Sequence, residues 1–299
     1  MKSRLKQYGA DLSLVAVAMA WGLTFLPVQK TIDESPVFLF LFYRFILSTL
    51  IIGVFSFKHF KSIDKNSLLG GLILGTFLFL GFGFQTFGLK YTYSSTVAFI
   101  TGLNVVIVPL FAYLIFRQFP SRYSNLGAII ASVGLYFLSS SELGFGLGEL
   151  LSLVCAIMFA AQIAFTDFYA KRSNVFLLVF FQLLAVSVLS FIFALLYDKK
   201  IILDHYSDTF IYTIFITSIF ATVFAFFVQT FMQRFTSPTK TAIIFTLEPV
   251  SAGFAGYFYA NEILTKMQFF GACLIIFGVL FAEIGSILHG KIKEKNAKR

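Results

Sequence analysis

The sequence contains ten apolar stretches, each of roughly the 20 residues that a helix needs to cross a lipid bilayer. Inside hydrocarbon, only helices and closed β-barrels satisfy all of their own backbone hydrogen bonds, and long uninterrupted apolar runs are typical of helices. The sequence therefore predicts an all-α integral membrane protein with ten transmembrane helices. The ten stretches are residues 10–29, 36–57, 67–89, 94–116, 123–139, 147–170, 174–197, 209–234, 237–260 and 265–288.

The composition excludes most other classes of protein. Of the 299 residues, 58% are hydrophobic and 12% are charged, whereas an average soluble domain carries about 25% charged residues. No phosphate-binding Gly-Lys-Ser/Thr loop occurs, and the three histidines lie in or next to predicted loops without a metal-ligand or nucleophile set around them. We therefore expect neither an enzyme, nor a cofactor, nor a metal site.

The two halves of the chain resemble each other. Residues 85–137 align with residues 229–281 at a fixed offset of 144 without a gap. The segment Leu12-Ser13-Leu14-Val15 resembles Leu151-Ser152-Leu153-Val154, at an offset of 139. We predict a first five-helix repeat over residues 1–140, a second over 141–290, and a basic cytoplasmic tail over 291–299.

An odd number of spans in each repeat means that the second repeat enters the membrane from the opposite side. The prediction is therefore two inverted five-helix repeats. Inverted repeats are typical of transporters that expose a central site alternately to the two faces of the membrane. The alternative is a duplication that only builds a stable helix bundle.

The basic residues predict the orientation. With the N-terminus inside, the cytoplasmic segments contain most of the Lys and Arg, as the positive-inside rule requires. We expect a multi-pass protein of the cell inner membrane with both termini in the cytoplasm. This asymmetry accounts for the net charge of +9, so no nucleic-acid partner is needed.

Two charged residues lie in the middle of predicted spans, where insertion of a charge costs about 2.5–3.5 kcal/mol and usually marks function. These are Arg44 and Glu248, whose repeat equivalents are Gln182 and Asn104. Arg44 is a candidate to hold a substrate carboxylate in a bidentate fork, and Glu248 to hold an ammonium group or to carry a proton. The alternative is that the two pair with each other, or with helix carbonyls, and only lock the bundle.

Three prolines interrupt predicted spans. Proline leaves the carbonyl four residues earlier without its helical partner, and a broken helix at mid-membrane is tolerated where it lines a cavity. We predict helix breaks at Pro27, Pro109 and Pro249.

Other polar or aromatic residues within the spans are weaker candidates for the cavity wall. Gln85 and Gln229 occur in both repeats, where hydrogen bonding between helices is the alternative role. Trp21 could stack on a substrate ring or pack in the core. The remaining candidates are Tyr43, Thr101, Asn104, Gln162 and Gln182.

Glycines recur every seven residues on one face of the fifth and tenth spans. Small residues let membrane helices approach closely. We therefore predict a helix-packing stripe, either within the protomer or between two copies, made of Gly127 and Gly134 with Gly271, Gly278 and Gly285.

These motifs resemble the drug/metabolite transporter superfamily, and in particular its proteins with two EamA domains. The resemblance lies in 247–250 (Leu-Glu-Pro-Val), 261–265 (Asn-Glu-Ile-Leu-Thr), the glycine stripe, Trp21-Gly22 and Tyr43-Arg44-Phe45, and it covers essentially the whole chain. Arg117-Gln118 stands where the first domain often has Gly-Glu. The resemblance implies a ten-helix inner-membrane carrier with a central cavity between its halves. Family members move amino acids, other metabolites, nucleotide-linked sugars or drugs.

We therefore expect a secondary transporter, and most readily an exporter, of small organic metabolites such as amino acids. The alternatives are a nucleotide-sugar or drug carrier, and a non-transporting lipid-handling or scaffold membrane protein. The expected partners are a small-molecule substrate and the lipid bilayer. Facilitated and proton-coupled movement both stay open, as do a monomer and a homodimer.

Overall fold

Helices follow one another along the whole of the chain that the computed structural model describes, which is residues 2–92, 94–117, 119–139, 146–203, 205–260 and 265–297. No β-strand occurs among these residues. The α-helices are α1 (Lys2–Glu34), α2 (Val37–Ser56), α3 (Lys65–Tyr91), α4 (Ser94–Gly102), α5 (Asn104–Phe116), α6 (Arg122–Ser139), α7 (Leu147–Ala170), α8 (Val175–Phe193), α9 (Asp208–Ser218), α10 (Ala225–Met232), α11 (Pro238–Phe245), α12 (Leu247–Ala260) and α13 (Lys266–Ala297). A π-helical segment, Ile219–Phe224, joins α9 to α10.

Six helices in the described residues are long and apolar enough to cross a membrane: Gln7–Glu34, Val37–Ser62, Lys65–Tyr91, Leu147–Ala170, Val175–Asp198 and Asp208–Met232. Two shorter apolar helices cover Ile100–Phe116 and Phe269–Ala282. The all-helical membrane architecture is thus confirmed, whereas the number of ten spans stays a prediction.

Several helix starts follow from capping residues that the sequence shows. Asp64 accepts a hydrogen bond from the Ser67 backbone N–H at 2.9 Å at the start of α3, and Ser207 and Ser237 cap α9 and α11 in the same way. Burial raises the pKa of Asp64, but the hydrogen bonds from Ser67 and neighbouring backbone N–H groups outweigh it, so that pKa lies below its ordinary value.

The predicted fourth and ninth spans are each interrupted by one tight turn. The Leu103 N–H donates to the Ile100 carbonyl at 3.1 Å, and the Thr246 N–H donates to the Ile243 carbonyl at 3.1 Å. Such bonds between residues three apart tighten the chain at the end of an α-helix. The interruptions occupy nearly equivalent places in the two repeats, since 103 plus 144 is 247.

The predicted helix breaks need correction at two of the three prolines. Pro27 lies inside the continuous helix α1, and Pro109 lies inside α5, six residues after the interruption at Leu103. A long helix packed among others tolerates the loss of one backbone hydrogen bond. Pro249 lies in the first turn of α12, directly after the interruption, where the missing N–H has no partner to lose.

Equivalent helices of the two repeats pack against each other in antiparallel fashion. Between α2 and α8, Gly53 lies against Phe180, and Phe42 lies 5.1 Å from Phe191. Adding 138 to 53 and 42 gives 191 and 180, so exchange of the repeats turns one contact into the other. This reciprocity is the property of a two-fold axis, and it makes Arg44 the equivalent of Gln182.

The glycine stripe follows the same two-fold axis. A Cβ atom on Gly134 of α6 would lie 2.8 Å from the Gly271 carbonyl of α13, and one on Gly278 would lie 2.8 Å from the Gly127 carbonyl. Adding 144 to 127 and 134 gives 271 and 278. The stripe therefore joins α6 to α13 within the protomer, and the repeats are inverted relative to each other.

Parts of the prediction fall outside the described residues. These are the boundary between 140 and 141, Gln118, residues 261–264 of the family motif, and the last two residues of the tail. The described part of the predicted tail, up to Ala297, continues helix α13.

Candidate functional site

A cavity of about 60 Å³ lies between the two repeats. Its wall combines uncharged polar groups, aromatic rings and two charged side chains. The lining residues are Trp21, Thr24, Phe25, Val28, Arg44, Leu78, Phe82, Gln85, Thr86, Leu89, Asn104, Phe159, Gln162, Ile163, Phe226, Phe245 and Glu248. Because they come from α1, α2, α3, α5, α7, α10, α11 and α12, both repeats contribute to the wall.

The interrupted helices bring their ends to this cavity. Asn104 is the first residue of α5 and Glu248 the second of α12, each directly after the tight turn, and both line the wall. They are equivalent residues, since 104 plus 144 is 248. The N-terminus of a helix carries a partial positive charge, so two such ends point toward the same space.

Arg44 is almost fully buried, with 4% of its surface exposed. Its Nε donates to the Thr222 hydroxyl at 2.8 Å and its Nη2 to the Ala221 carbonyl at 3.3 Å. Its guanidinium carbon lies 4.6 Å from the centre of the Phe82 ring, an arrangement that stabilises a buried cation.

The carbonyl that Arg44 uses belongs to the π-helical segment between α9 and α10. A π-helical turn changes the hydrogen-bond ladder and occurs frequently at functional sites. The Ala221 carbonyl also accepts a hydrogen bond from Trp21 Nε1 at 2.8 Å. One carbonyl of the second repeat therefore holds two wall residues of the first.

Glu248 lines the same cavity as Arg44 but does not pair with it. No ion pair and no side-chain hydrogen bond joins the Glu248 carboxylate to any residue in the described ranges. The alternative in which Arg44 and Glu248 lock each other does not hold in this structure, whereas the alternative of a bond to a helix carbonyl does hold for Arg44. A carboxylate without a partner, in a cavity that is also lined by aromatic rings, is suited to a cationic group.

A chain of amides extends from the wall into the second repeat. The Gln229 Nε2 donates to the Gln162 Oε1 at 3.0 Å and to the Gln233 Oε1 at 3.2 Å. Gln162 Nε2 in turn donates to the Thr166 hydroxyl, and Gln233 Nε2 to the Ile163 carbonyl, both at 3.0 Å. This chain fixes the orientation of the Gln162 amide on the wall.

Aromatic rings form the rest of the wall. Trp21 contacts Phe245 at 4.8 Å and Phe226 at 5.5 Å between ring centres. Phe82 contacts Phe159 at 5.2 Å. Phe245 and Phe226 belong to two separate apolar clusters, and Trp21 packs against both, so the cavity lies where the two clusters meet.

Most of the candidates from the sequence lie on this wall: Trp21, Arg44, Gln85, Asn104, Gln162 and Glu248. Whether they bind a substrate stays a prediction.

The other four candidates do not line the cavity. Tyr43 precedes Arg44 in α2, so the two side chains point about 100° apart around the helix axis. The Tyr43 hydroxyl lies 2.8 Å from that of Tyr206. Thr101 is buried against Cys155, with 3.7 Å between oxygen and sulfur. Gln182 is fully buried elsewhere in the second repeat, and Gln229 lies behind Gln162.

The sequence reasoning missed wall residues that helical spacing could have found. Thr24, Phe25 and Val28 follow Trp21 by three, four and seven residues, which places them on one face of α1. Phe82, Thr86 and Leu89 share a face of α3 with Gln85 on the same rule. Ala221 and Thr222 carried no signal, because nothing in a sequence marks a π-helical turn.

Known proteins resemble this chain over most of its length. The sequence profile of the EamA-like transporter family matches residues 9–140 and 146–283. An "Uncharacterized transporter" of Archaeoglobus fulgidus is 35% identical over 280 residues, which are 94% of this chain and 87% of that protein. The "Uncharacterized transporter YoaV" of Bacillus subtilis is 21% identical, over 90% of this chain and 94% of that protein.

A solved structure described as "Crystal structure of protein" has the same fold, with a TM-score of 0.75 at 16% identity, over 92% of this chain and 98% of that one. The two matched repeats, the multiple membrane helices and the related transporters agree with one another. The chain belongs to the EamA-like transporter family.

Proposed function

We propose that this protein is a secondary transporter that moves small amphipathic organic metabolites, amino acids foremost, across the cell inner membrane by alternating access. In this proposal the helices cross the membrane ten times, with both termini in the cytoplasm, and the physiological direction is export. One observation carries the proposal: Arg44 and Glu248 line one cavity between inverted repeats without pairing with each other.

The charges of the wall match those of an amino acid. The Glu248 carboxylate is available to a cargo ammonium group. Arg44 uses Nε and Nη2 for its bonds to Thr222 and Ala221, and its Nη1 makes no hydrogen bond with the described part of the chain, which leaves donors for a cargo carboxylate. The aromatic rings of Trp21, Phe82 and Phe226 suit an apolar side chain between these two groups.

The volume of the cavity fits a mechanism in which the wall moves. About 60 Å³ holds a few water molecules, whereas sites for organic ligands are commonly about 300–1,000 Å³. Cargo must therefore widen the cavity, and the inverted repeats provide two related ways to do so.

Flux into proteoliposomes tests the proposal. We expect uptake or counterflow of at least one labelled amino acid, and at least a tenfold loss of apparent affinity in Arg44→Gln, because a carboxylate partner is removed. Tyr43→Phe is the matched control, since Tyr43 is the neighbour of Arg44 but faces away from the cavity. Absence of flux for every amino acid, with folded protein in the membrane, would overturn the proposed cargo.

A carrier of lipophilic organic cations is the second candidate, and the carboxylate without a partner and the aromatic wall support it. Such a cargo needs Glu248 but not Arg44. Transport of aromatic amines that is unaffected by Arg44→Gln and lost in Glu248→Gln would favour this candidate over amino acids. A nucleotide-sugar cargo has less support, because Arg44 is the one cationic side chain among the described wall residues, and it is already bonded to Thr222 and Ala221.

A further inference from the structure

Buried polar atoms without a hydrogen-bond partner are concentrated in the second repeat. Within the described ranges, the first repeat has one such side chain, Asp11. The second repeat has seven: Ser173, Gln182, Ser190, Gln229, Thr230, Thr236 and Thr241. In Gln182, both amide atoms lack a partner. Folded proteins rarely bury such groups unpaired, because they lose water without replacing it.

The two-fold axis explains part of this set. It relates Arg44, Gln85 and Thr86, which line the cavity, to Gln182, Gln229 and Thr230, which do not. The same three positions are therefore open in one repeat and closed in the other. The Gln182 amide, the Gln229 Oε1 and the Thr230 hydroxyl lack a partner, as expected where the surface that they would form is shut.

Close packing at glycines shuts this surface. A Cβ atom on Gly75 of α3 would lie 2.5 Å from the Gln182 carbonyl, and one on Gly71 would lie 3.1 Å from the Gln182 backbone nitrogen. In the second repeat, the Ser218 hydroxyl donates to the equivalent carbonyl, that of Arg44, at 2.9 Å. The first repeat therefore meets Gln182 at glycines, whereas the second repeat meets Arg44 through a side chain.

The same symmetry identifies an acidic residue in the closed set. Residues 12–15 of α1 resemble residues 151–154 of α7, so the two helices correspond at an offset of 139. That offset relates the wall residue Val28 to Asp167. The Asp167 carboxylate is 1% exposed and accepts from the Lys171 ammonium at 2.6 Å.

We propose that the second repeat carries a second cargo-binding surface, closed in this structure, that opens on the membrane face opposite to the present cavity. It consists of Gln182, Gln229, Thr230, Gln233 and Asp167. Asp167 binds the ammonium group of the cargo there, and the Lys171 ammonium occupies that place while the surface is closed. The inference deepens the proposed function and rests on it for the nature of the cargo.

Thiol labelling tests whether the surface opens. In a chain carrying Cys155→Ala and Cys273→Ala, single cysteines are placed at Thr86 or Thr230, and a membrane-impermeant methanethiosulfonate is added to one face of oriented liposomes at a time. We expect the two cysteines to be labelled from opposite faces. Labelling of both from the same face would overturn the proposal.

Ser190→Cys is the matched control for nonspecific opening. Ser190 is also buried with an unpartnered hydroxyl in the second repeat, but its equivalent, Ile52, does not line the cavity. We expect Thr230→Cys to be labelled at least ten times faster than Ser190→Cys. Equal rates would show that the second repeat has no specific opening.

Protection by an ammonium probe tests the role of Asp167. Phenylethylammonium added to the face that labels Thr230→Cys should slow labelling, whereas neutral phenylethanol should not. We expect Asp167→Asn to weaken this protection at least fivefold and Lys171→Gln to strengthen it, because a competing ammonium group is removed. Unchanged protection in Asp167→Asn would remove the acid from the proposal.

The outcomes separate this inference from the proposed function. Labelling of Thr230→Cys from the opposite face, combined with no flux of any amino acid or amine, would leave the closed surface standing and reject the cargo. Flux without labelling of Thr230→Cys would reject the closed surface alone.

Discussion

The hydrogen bond between Arg44 and Thr222 makes a quantitative test of how the two repeats are held together at the cavity. Arg44 lies in the first repeat, and the Thr222 hydroxyl that accepts from its Nε at 2.8 Å lies in the second. Thr222→Val removes the hydroxyl and preserves the shape of the side chain. Arg44→Met removes the donor and retains much of the apolar stem.

The expected size of the interaction follows from its surroundings. Hydrogen bonds to charged groups contribute about 1.5–3 kcal/mol to stability, whereas bonds between membrane helices average about 0.6 kcal/mol, with a maximum near 1.7. Arg44 is charged and 4% exposed, which places this bond at the upper end of the membrane range. We expect a coupling of about 1.5 kcal/mol, or roughly a tenfold change in the unfolding equilibrium constant.

A double-mutant cycle measures this coupling. The free energy of unfolding is determined in mixed micelles for the parent protein, the two single variants and the double variant. Thr217→Val is the matched control, because the buried Thr217 hydroxyl donates to the Thr213 carbonyl of its own helix at 2.6 Å. Free energies for Arg44→Met and Thr222→Val that add within about 0.5 kcal/mol would refute the reasoning.

Two further predictions concern other parts of the structure. Glu248→Gln should abolish uptake driven by a pH gradient while exchange continues, if Glu248 carries the proton; unchanged pH dependence in the flux assay would exclude that role. Gly134→Ala should destabilise the protein by about 1–3 kcal/mol, because the new methyl group would lie 2.8 Å from backbone atoms of α13. Gly83→Ala, whose methyl group would meet only Phe38 at 3.7 Å, should be neutral or stabilising in the same thermal unfolding assay.

Two kinds of residue could be predicted from the sequence: charged residues, which are costly to insert into a membrane span, and residues that recur at a fixed spacing. Arg44 and Glu248 stood out because charge within a membrane span is expensive, and both lie on the cavity wall. The glycine stripe stood out by its seven-residue period. The sequence left open whether the stripe joins helices of one protomer or of two, and the structure places it between α6 and α13.

Details of the backbone could not be predicted in the same way. The prolines suggested breaks at Pro27 and Pro109, but those helices continue, and the fourth span is interrupted at Leu103 instead. A proline removes one backbone hydrogen bond of the helix. Whether the helix then breaks depends on whether neighbouring helices supply new partners for the freed backbone group. The π-helical turn that supplies the Ala221 carbonyl depends likewise on packing among helices distant in sequence.

Gln182 and Gln229 are absent from the cavity wall for a different reason. Both were predicted for the cavity because their equivalents, Arg44 and Gln85, are polar at the same places in the repeat, and that symmetry is correct. A sequence with two inverted repeats encodes two arrangements that differ in which repeat is open, and a single structure contains one of them. In the proposed mechanism, the unpartnered Gln182 amide and Gln229 Oε1 belong to the arrangement that this structure does not contain. If the labelling of Thr230→Cys finds that arrangement, Gln182 and Gln229 are cavity residues as predicted from the sequence, but of the other arrangement.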